Sequence, residues 1–372
     1  MTEISLPRDA EVALVLQGGG ALGAYQGGVY EALEGSHYSP EWLVGISIGA
    51  VNAALIAGNR PERRVARLHQ FWDLVSSGIP FPAPRQQQAR EAFNQASAAL
   101  AATVGVTGFY LPRLPPAMFH PPGTPQAVSL YDAAPLRDTL TRLVDFDLLN
   151  DGRTRLSVGA VDVLTGNSHY FDNRDKPIQV EHILASCALP PAFASVAVDG
   201  RFYWDGGIVS NTPLQHVLDM RDRQSLLVFQ VDLFSAEGPL PQDLPEALQR
   251  QKDILYSSRT RYGTAKVAEE QHLRRAMRAL VAKLPPKLAD GPEARVLAEA
   301  SSCERLDIVH LIYRQKPYAL ASKDYEFSRV SIEEHWRVGC EDMRDTCEHP
   351  EWLRRREVDD GVTTYDLFRP GV

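Results

Sequence analysis

Cysteine is scarce in this chain. Four occur in 372 residues (Cys187, Cys303, Cys340 and Cys347), and their spacing is not that of a disulfide scaffold. Free thiols in a reducing compartment follow, so a cytoplasmic location is expected. Cys340 and Cys347 stand near His349, but no paired C-x-x-C completes a zinc site. Positive charge is in deficit too: the formal net charge is -8. That argues against a nucleic-acid partner, which requires a basic surface. Long apolar runs are missing. Residues 92–112 lack charge, yet they are Ala, Ser, Thr and Gly around Asn94 and Gln95, too polar to span a membrane. Met1 to Ala10 carries acidic residues and no apolar core, so no secretory signal is expected there. No carboxylate cluster suits calcium, and neither a metal nor another cofactor is expected. The remaining composition, 44% hydrophobic and 23% charged, is that of one large globular domain or two.

What is present is a set of glycine-bearing motifs. Trp42 to Ile46 is an apolar run of strand character, and Ser47 to Ala57 reads as a buried helix. Ser47 therefore sits on a sharp strand-to-helix turn. Gly45 and Gly49 flank it because side chains there would collide in so tight a turn. The helix N-terminus points free N–H groups at the serine, which favours a developing anion. Taken alone, Gly45-Ile46-Ser47-Ile48-Gly49 could equally be a helix N-cap.

Upstream, Val12 to Leu16 is a short apolar strand. Gly18-Gly19-Gly20 follows, and Ala24 to Leu33 reads as a helix. Consecutive glycines turn without Cβ collisions and leave N–H groups accessible. Two such groups aimed at one point make an oxyanion hole, and losing one donor typically costs about 100–1,000-fold in rate. Gly18-x-Gly20-x-x-Gly23 also matches a dinucleotide fingerprint. That fingerprint wants an acid at the end of the second strand, and this chain has Gly45-Ile46-Ser47 there. The third motif is Asp205-Gly206-Gly207, closing an alternating run of Val196, Val198, Phe202 and Trp204. It presents a carboxylate on a tight turn, although an Asp-Gly turn is also ordinary. An α/β-hydrolase would place several strands before the nucleophile and a histidine late in the chain; here Ser47 follows the second strand.

Glycine loop, G-x-S-x-G and D-G-G, in that order, resemble the patatin-like phospholipases. The stretch Ala185 to Phe193, leading through Asp205 to Ser210-Asn211-Thr212-Pro213-Leu214, is similar to that family's surroundings of its aspartate. The resemblance runs from about Val12 to about Asp232. One departure is Leu22, where many members carry Arg or Lys. The resemblance implies a Ser–Asp dyad without histidine: Ser47 as nucleophile, Asp205 as general base, and Gly18, Gly19 and Gly20 as oxyanion donors. Gly45, Gly49, Gly206 and Gly207 would support the two turns. Acyl transfer to Ser47 would release an alcohol, and water would then cleave the acyl-enzyme. A desolvated aspartate would be the better base. The implied substrate is an acyl lipid, phospholipid or lysophospholipid first. Other acyl esters such as polyester oligomers or thioesters, and a catalytically idle lipid-binding role, are the alternatives.

The resemblance implies an α/β, three-layer fold with a mostly parallel central sheet and helices on both faces. The catalytic domain is expected over 1–236, and a mainly helical C-terminal extension over 237–372. Within the first, residues 76–130 are proline-rich around an Ala-rich helix near 89–104. Two readings fit that segment, a cap over the acyl pocket in contact with lipid and a surface insertion. Pro61 to Val75 and Ala134 to Val144 read as helices, and Thr154 to Val163 as a central strand. His169, Tyr170 and Phe171 follow in a hairpin, and His169 is read as a solvent-side histidine. Ile178 to Leu189 reads as a helix lining the acyl pocket.

In the extension, Leu273, Met277, Leu280, Val281 and Leu284 share one helix face, with Arg274, Arg275, Arg278 and Lys283 elsewhere. That pattern fits peripheral contact with anionic membrane, or an apolar face docked on the protein with the basic face solvated. Leu306 to Tyr313 is a strand expected to return to the main sheet. Ser331 to Cys347 is expected as a helix opened by the capping box Ser331-Ile332-Glu333-Glu334. The arrangement resembles an extension of unassigned chemistry in some bacterial members.

Overall fold

The apolar runs before the glycine loop and before Ser47 form two adjacent strands with buried side chains on both faces. A computed structural model of the chain describes residues 11–36, 38–220, 225–257, 260–301, 306–314, 322–348 and 362–365. Met1 to Ala10, Cys303 and His349 lie outside them. The strands are β1 (Glu11–Leu16), β2 (Trp42–Ile46), β3 (Leu111–Pro112), β4 (Tyr131–Asp132), β5 (Arg155–Asp162), β6 (Ser168–Asp172), β7 (Val196–Val198), β8 (Arg201–Asp205), β9 (Leu226–Asp232), β10 (Leu306–Ile312) and β11 (Val362–Tyr365). Nine of them form one sheet in the order β11-β10-β9-β1-β2-β5-β8-β7, with β6 also on β5. From β11 to β5 every pairing is parallel; β6, β8 and β7 are antiparallel additions. Strand β10, from the C-terminal segment, pairs with β9 along its whole length.

Alternation along β1 divides the core. Leu14 and Leu16 join one apolar cluster, whereas Ala13 and Val15 join another. Strand side chains alternate between faces, so each cluster is one face of the sheet covered by helices. The helix Ile48–Ala57 is buried on all sides, which its unbroken apolar sequence requires.

Register explains how distant motifs meet. On β5, Gly159 pairs with Ile46 of β2 and with Tyr170 of β6. The next residue, Ala160, pairs with His169 of β6 and with Asp205 of β8. Thus β2 and β8 share the β5 edge opposite β6. One runs parallel to β5 and the other antiparallel, so their C-terminal ends approach head to head at Gly159 and Ala160.

Three expectations change. The helix expected over 178–189 spans only Val180–Ser186, because the chain must extend ahead of Pro190-Pro191. The last long helix spans Arg329–Glu348, so Ser331 lies inside it and opens no capping box. Ser331 Oγ instead accepts from Arg90 Nη2 at 3.1 Å, and Glu334 pairs with the same guanidinium at 3.2 Å. Arg90 belongs to the helix Gln87–Val104 of the proline-rich segment, so that segment is tied to the C-terminal helix. On the helix Thr260–Val281, Leu273 and Leu280 are 54% and 59% exposed. Met277, Val281 and Leu284 of the same face are half-buried, so the face is only partly covered. Arg278 Nε reaches the Ser301 carbonyl at 3.2 Å, and Arg274 pairs with Glu270. No described helix is long and apolar enough to cross a membrane.

Candidate active site

Ser47 stands at the corner between β2 and the helix Ile48–Ala57, with φ 55° and ψ -125°. An L-residue rarely adopts such a backbone, and strain of this kind persists only where surroundings enforce it. The flanking glycines are part of the enforcement. A methyl group at Gly45 would overlap the Gly49 backbone, and one at Gly49 would overlap the Leu16 carbonyl. The Ser47 amide donates to Ser186 Oγ at 2.9 Å, and Ser186 Oγ donates to the Gly159 carbonyl at 2.6 Å. Ser186 thereby pins the Ser47 backbone to β5.

Asp205 ends β8 and is 2% exposed. Burial raises its carboxyl to a pKa of about 7, while the Ser47 side chain and the Gly207 N–H both oppose the shift. The Gly207 N–H donates to Asp205 Oδ1 at 2.7 Å. The groups acting on this carboxyl thus include Ser47 and no histidine. His169 lies on the opposite edge of β5, against Phe171 and Tyr203. Gly206 is squeezed where the strand ends meet; a methyl there would press on the Gly159 carbonyl and Ile46.

The glycine loop arrives from β1. A methyl on Gly18 would sit 3.2 Å from Ser47 Cβ, so the loop lies directly against Ser47. The Gly18 N–H donates to the Asn211 carbonyl at 3.2 Å, and Asn211 Nδ2 returns a bond to the Gly18 carbonyl at 2.9 Å. Gly20 takes a positive φ of 54° and opens the short 3-10 turn Gly20–Leu22. The first N–H groups of such a turn have no acceptor within it. Leu22, at the position of the family's frequent cation, is fully buried in the core.

Gln17 is the residue whose importance the sequence reading missed. It is completely buried, and its side chain is a junction. Nε2 donates to Thr212 Oγ1 at 2.8 Å and to the Tyr256 carbonyl at 2.9 Å. Oε1 accepts from the amides of Leu233 at 2.5 Å and Phe234 at 3.0 Å. The signal that could have found it is an amide closing an otherwise apolar strand, since a buried amide must satisfy both ends.

A cavity of about 200 Å³ is lined by Phe109, Leu136, Leu184, Cys187, Ala188 and Phe193, with the charged Arg113, Asp132 and Arg137 also on its wall. The Asp205 N–H donates to the Ala188 carbonyl at 3.0 Å, which joins this wall to the end of β8. Burial raises the Cys187 thiol well above its usual range, leaving it an inert wall group. Phe109, Tyr110, Tyr131 and Phe193 form a contiguous aromatic group over it, with Tyr110–Tyr131 ring centroids 4.7 Å apart. Among the described residues, no three His, Cys, Asp or Glu side chains cluster as metal ligands do.

The chain matches a family model described as Patatin-like phospholipase over residues 14–218, and another described as Patatin phospholipase over 254–359. No curated protein matches it. Among solved structures it is similar to VipD from Legionella pneumophila at 15% identity and a TM-score of 0.41, covering 97% of this chain and 72% of that one. It is also similar to the type III effector protein ExoU at 13% identity and a TM-score of 0.24, covering 98% and 83%. Both likenesses are too distant to inform the site. The first family model spans more than half of the chain, with Ser47 and Asp205 inside its bounds, and the protein belongs to the patatin-like phospholipase family as a lipid acyl hydrolase.

Proposed function

We propose that the protein hydrolyses acyl esters of phospholipid or lysophospholipid through a Ser47–Asp205 dyad. The observation that carries this is the head-to-head approach of β2 and β8 on one edge of β5, ending in a strained serine and a buried aspartate. In the first step the Asp205 carboxylate takes the Ser47 hydroxyl proton while Oγ attacks the ester carbonyl carbon. The carbonyl oxygen gains the negative charge and meets amides of the Gly18–Gly20 loop. Gly19 and Gly20 lead in this role; Gly18 would first give up its 3.2 Å bond to Asn211. Collapse breaks the carbon–oxygen bond, and protonated Asp205 gives its proton to the departing alcohol. Asp205 then takes a proton from water, which attacks the acyl-enzyme and frees the fatty acid and Ser47.

A base with a pKa near 7 suits this task, since it is largely ionised at mildly alkaline pH yet basic enough to share a serine proton. The cavity lined by Cys187 and Ala188, whose carbonyl accepts from the Asp205 N–H, is the proposed acyl pocket. Residues 1–236 supply these groups, with the aromatic part of the proline-rich segment as the pocket's cap. Leu114, Met118 and Phe119 of that segment are 84%, 83% and 69% exposed, and are proposed to meet lipid.

The test is hydrolysis of a panel of phospholipids, lysophospholipids, soluble esters and thioesters, with and without EDTA. Wild-type activity that is insensitive to EDTA and absent in Ser47→Ala and Asp205→Asn is the expected result. Variants with wild-type rates would overturn the dyad. A preference for thioesters or soluble esters over every lipid would move the substrate class.

A further inference from the structure

Two stretches of the C-terminal segment touch the glycine loop, and they hold each other. The first is the end of the helix Leu244–Tyr256. The Tyr256 carbonyl accepts from Gln17 Nε2 and, at 3.2 Å, from Asn211 Nδ2, the two side chains that bracket Gly18. The second is the short turn Lys323–Tyr325. Its Asp324 carbonyl occupies the space that a methyl on Gly20 would need. Beside Gly19 the Leu233 side chain fills that space, with the Phe234 ring edge next to it. The loop is thus bounded by residues from far along the chain, by side chains at Gly19 and by the Asp324 backbone at Gly20.

The link between the two stretches is reciprocal. Lys252 and Asp253 stand side by side on the helix, and Lys323 and Asp324 stand side by side on the turn. Lys323 Nζ pairs with Asp253 Oδ1 at 2.5 Å, with both residues buried. Lys252 Nζ pairs with Asp324 Oδ1 at 2.5 Å, half-buried. Each ammonium also lies over a ring, Lys323 over Phe234 at 5.1 Å and Lys252 over Tyr325 at 5.2 Å. A buried pair of this kind gains little stability over apolar residues of similar volume. What it fixes is position, because neither charge tolerates a shift that strands the other.

We propose that Lys323, Asp253, Lys252 and Asp324 form a clasp that positions the glycine-loop amides for catalysis, making the C-terminal segment a structural part of the active site. This rests on the acyl-transfer reading above. Oxyanion donors act only when aimed in advance at the developing charge, and a misplacement of about 1 Å costs about 100-fold. The four residues are positioning residues: they act through Tyr256 and Asp324 on Gly18 and Gly20, and touch no substrate.

The experiment is steady-state kinetics on a soluble ester that wild type hydrolyses, with the rate of Ser47 modification by a fluorophosphonate measured in parallel. The variants are Lys323→Met and Lys252→Gln. The second breaks the half-buried pair and keeps the test sound should Lys323→Met fail to fold. The expected result is a kcat lowered about 10- to 100-fold in Lys323→Met and about 3- to 10-fold in Lys252→Gln. KM should stay within about twofold, and phosphonylation should slow in proportion to kcat. Wild-type kcat in a folded variant, or a change confined to KM, would overturn the clasp and leave the dyad standing. A wild type that neither hydrolyses esters nor takes the phosphonate would overturn the acyl-transfer reading itself.

Discussion

The two corners that meet at this site are held in different ways. The Ser47 corner is held by close packing, Gly45 against Gly49 and Gly49 against the strand end at Leu16, with one distant bond from its amide to Ser186. The glycine loop is held from far along the chain, by Asn211, Leu233, Phe234, Tyr256 and Asp324. The first arrangement is a motif, because tight local geometry restricts which residues fit. The second is tertiary, and its residues are chosen by partners rather than by spacing. The strain at Ser47 therefore rests mostly on close local packing with one distant bond to Ser186, whereas the glycine loop depends on many distant partners.

The largest effect should come from the corner itself. Ser47→Ala is expected to lower kcat by about 10⁴-fold or more, measured on the best ester, because no covalent intermediate can form. Asp205→Asn should follow with a loss of about 100- to 10,000-fold, the range of a general base. The same variant has a stability signature. The carboxyl's pKa is about 7 in the fold against 3.8 for a free aspartate, so between those values the folded state holds a proton that the unfolded state has released. Stability then falls as pH rises from about 4 to about 7, by up to roughly 4 kcal/mol. Asp205→Asn removes that loss. Its Tm should exceed that of wild type at pH 8, and the gap should close towards pH 4.

The tertiary corner should respond more mildly. Gln17→Leu is expected to lower kcat about 10- to 100-fold with little change in KM, since it releases the amides of Leu233 and Phe234 and the Tyr256 carbonyl together. A Gln17→Leu enzyme with normal kcat would show that the loop keeps its shape without its junction. The smallest effect should come from Arg90→Met. Arg90 bonds Asn94, Ser331 and Glu334 across the proline-rich segment and the C-terminal helix, away from the glycine loop. Thermal unfolding should shift down by a few degrees while kcat on a soluble ester stays within about twofold.

This division also sets what could be read from the sequence. The strands β1 and β2 and the serine turn were legible because apolar runs and flanking glycines are local signals. Asp205 was legible as a carboxylate on a glycine turn, but its meeting with Ser47 depends on where β2 and β8 end along β5. Gln17 bonds Tyr256 across 239 residues, and no local pattern announces that. Ser331 and Glu334 carried a capping-box pattern, yet a stronger claim on both came from Arg90 on another helix. In each of these cases a tertiary partner overrode a local rule.

The central claim is that a buried aspartate, with no histidine, is the base for Ser47. The pH dependence of Ser47 phosphonylation tests it most directly, because the rate follows the nucleophile's activation without substrate binding at a lipid surface. The rate should rise with pH through an apparent pKa near 7 and level off above about 8, since only the ionised carboxylate accepts the proton. In Asp205→Asn the rate should be low and lack that step. A wild-type profile without a step near 7, or an unchanged step in Asp205→Asn, would contradict the account.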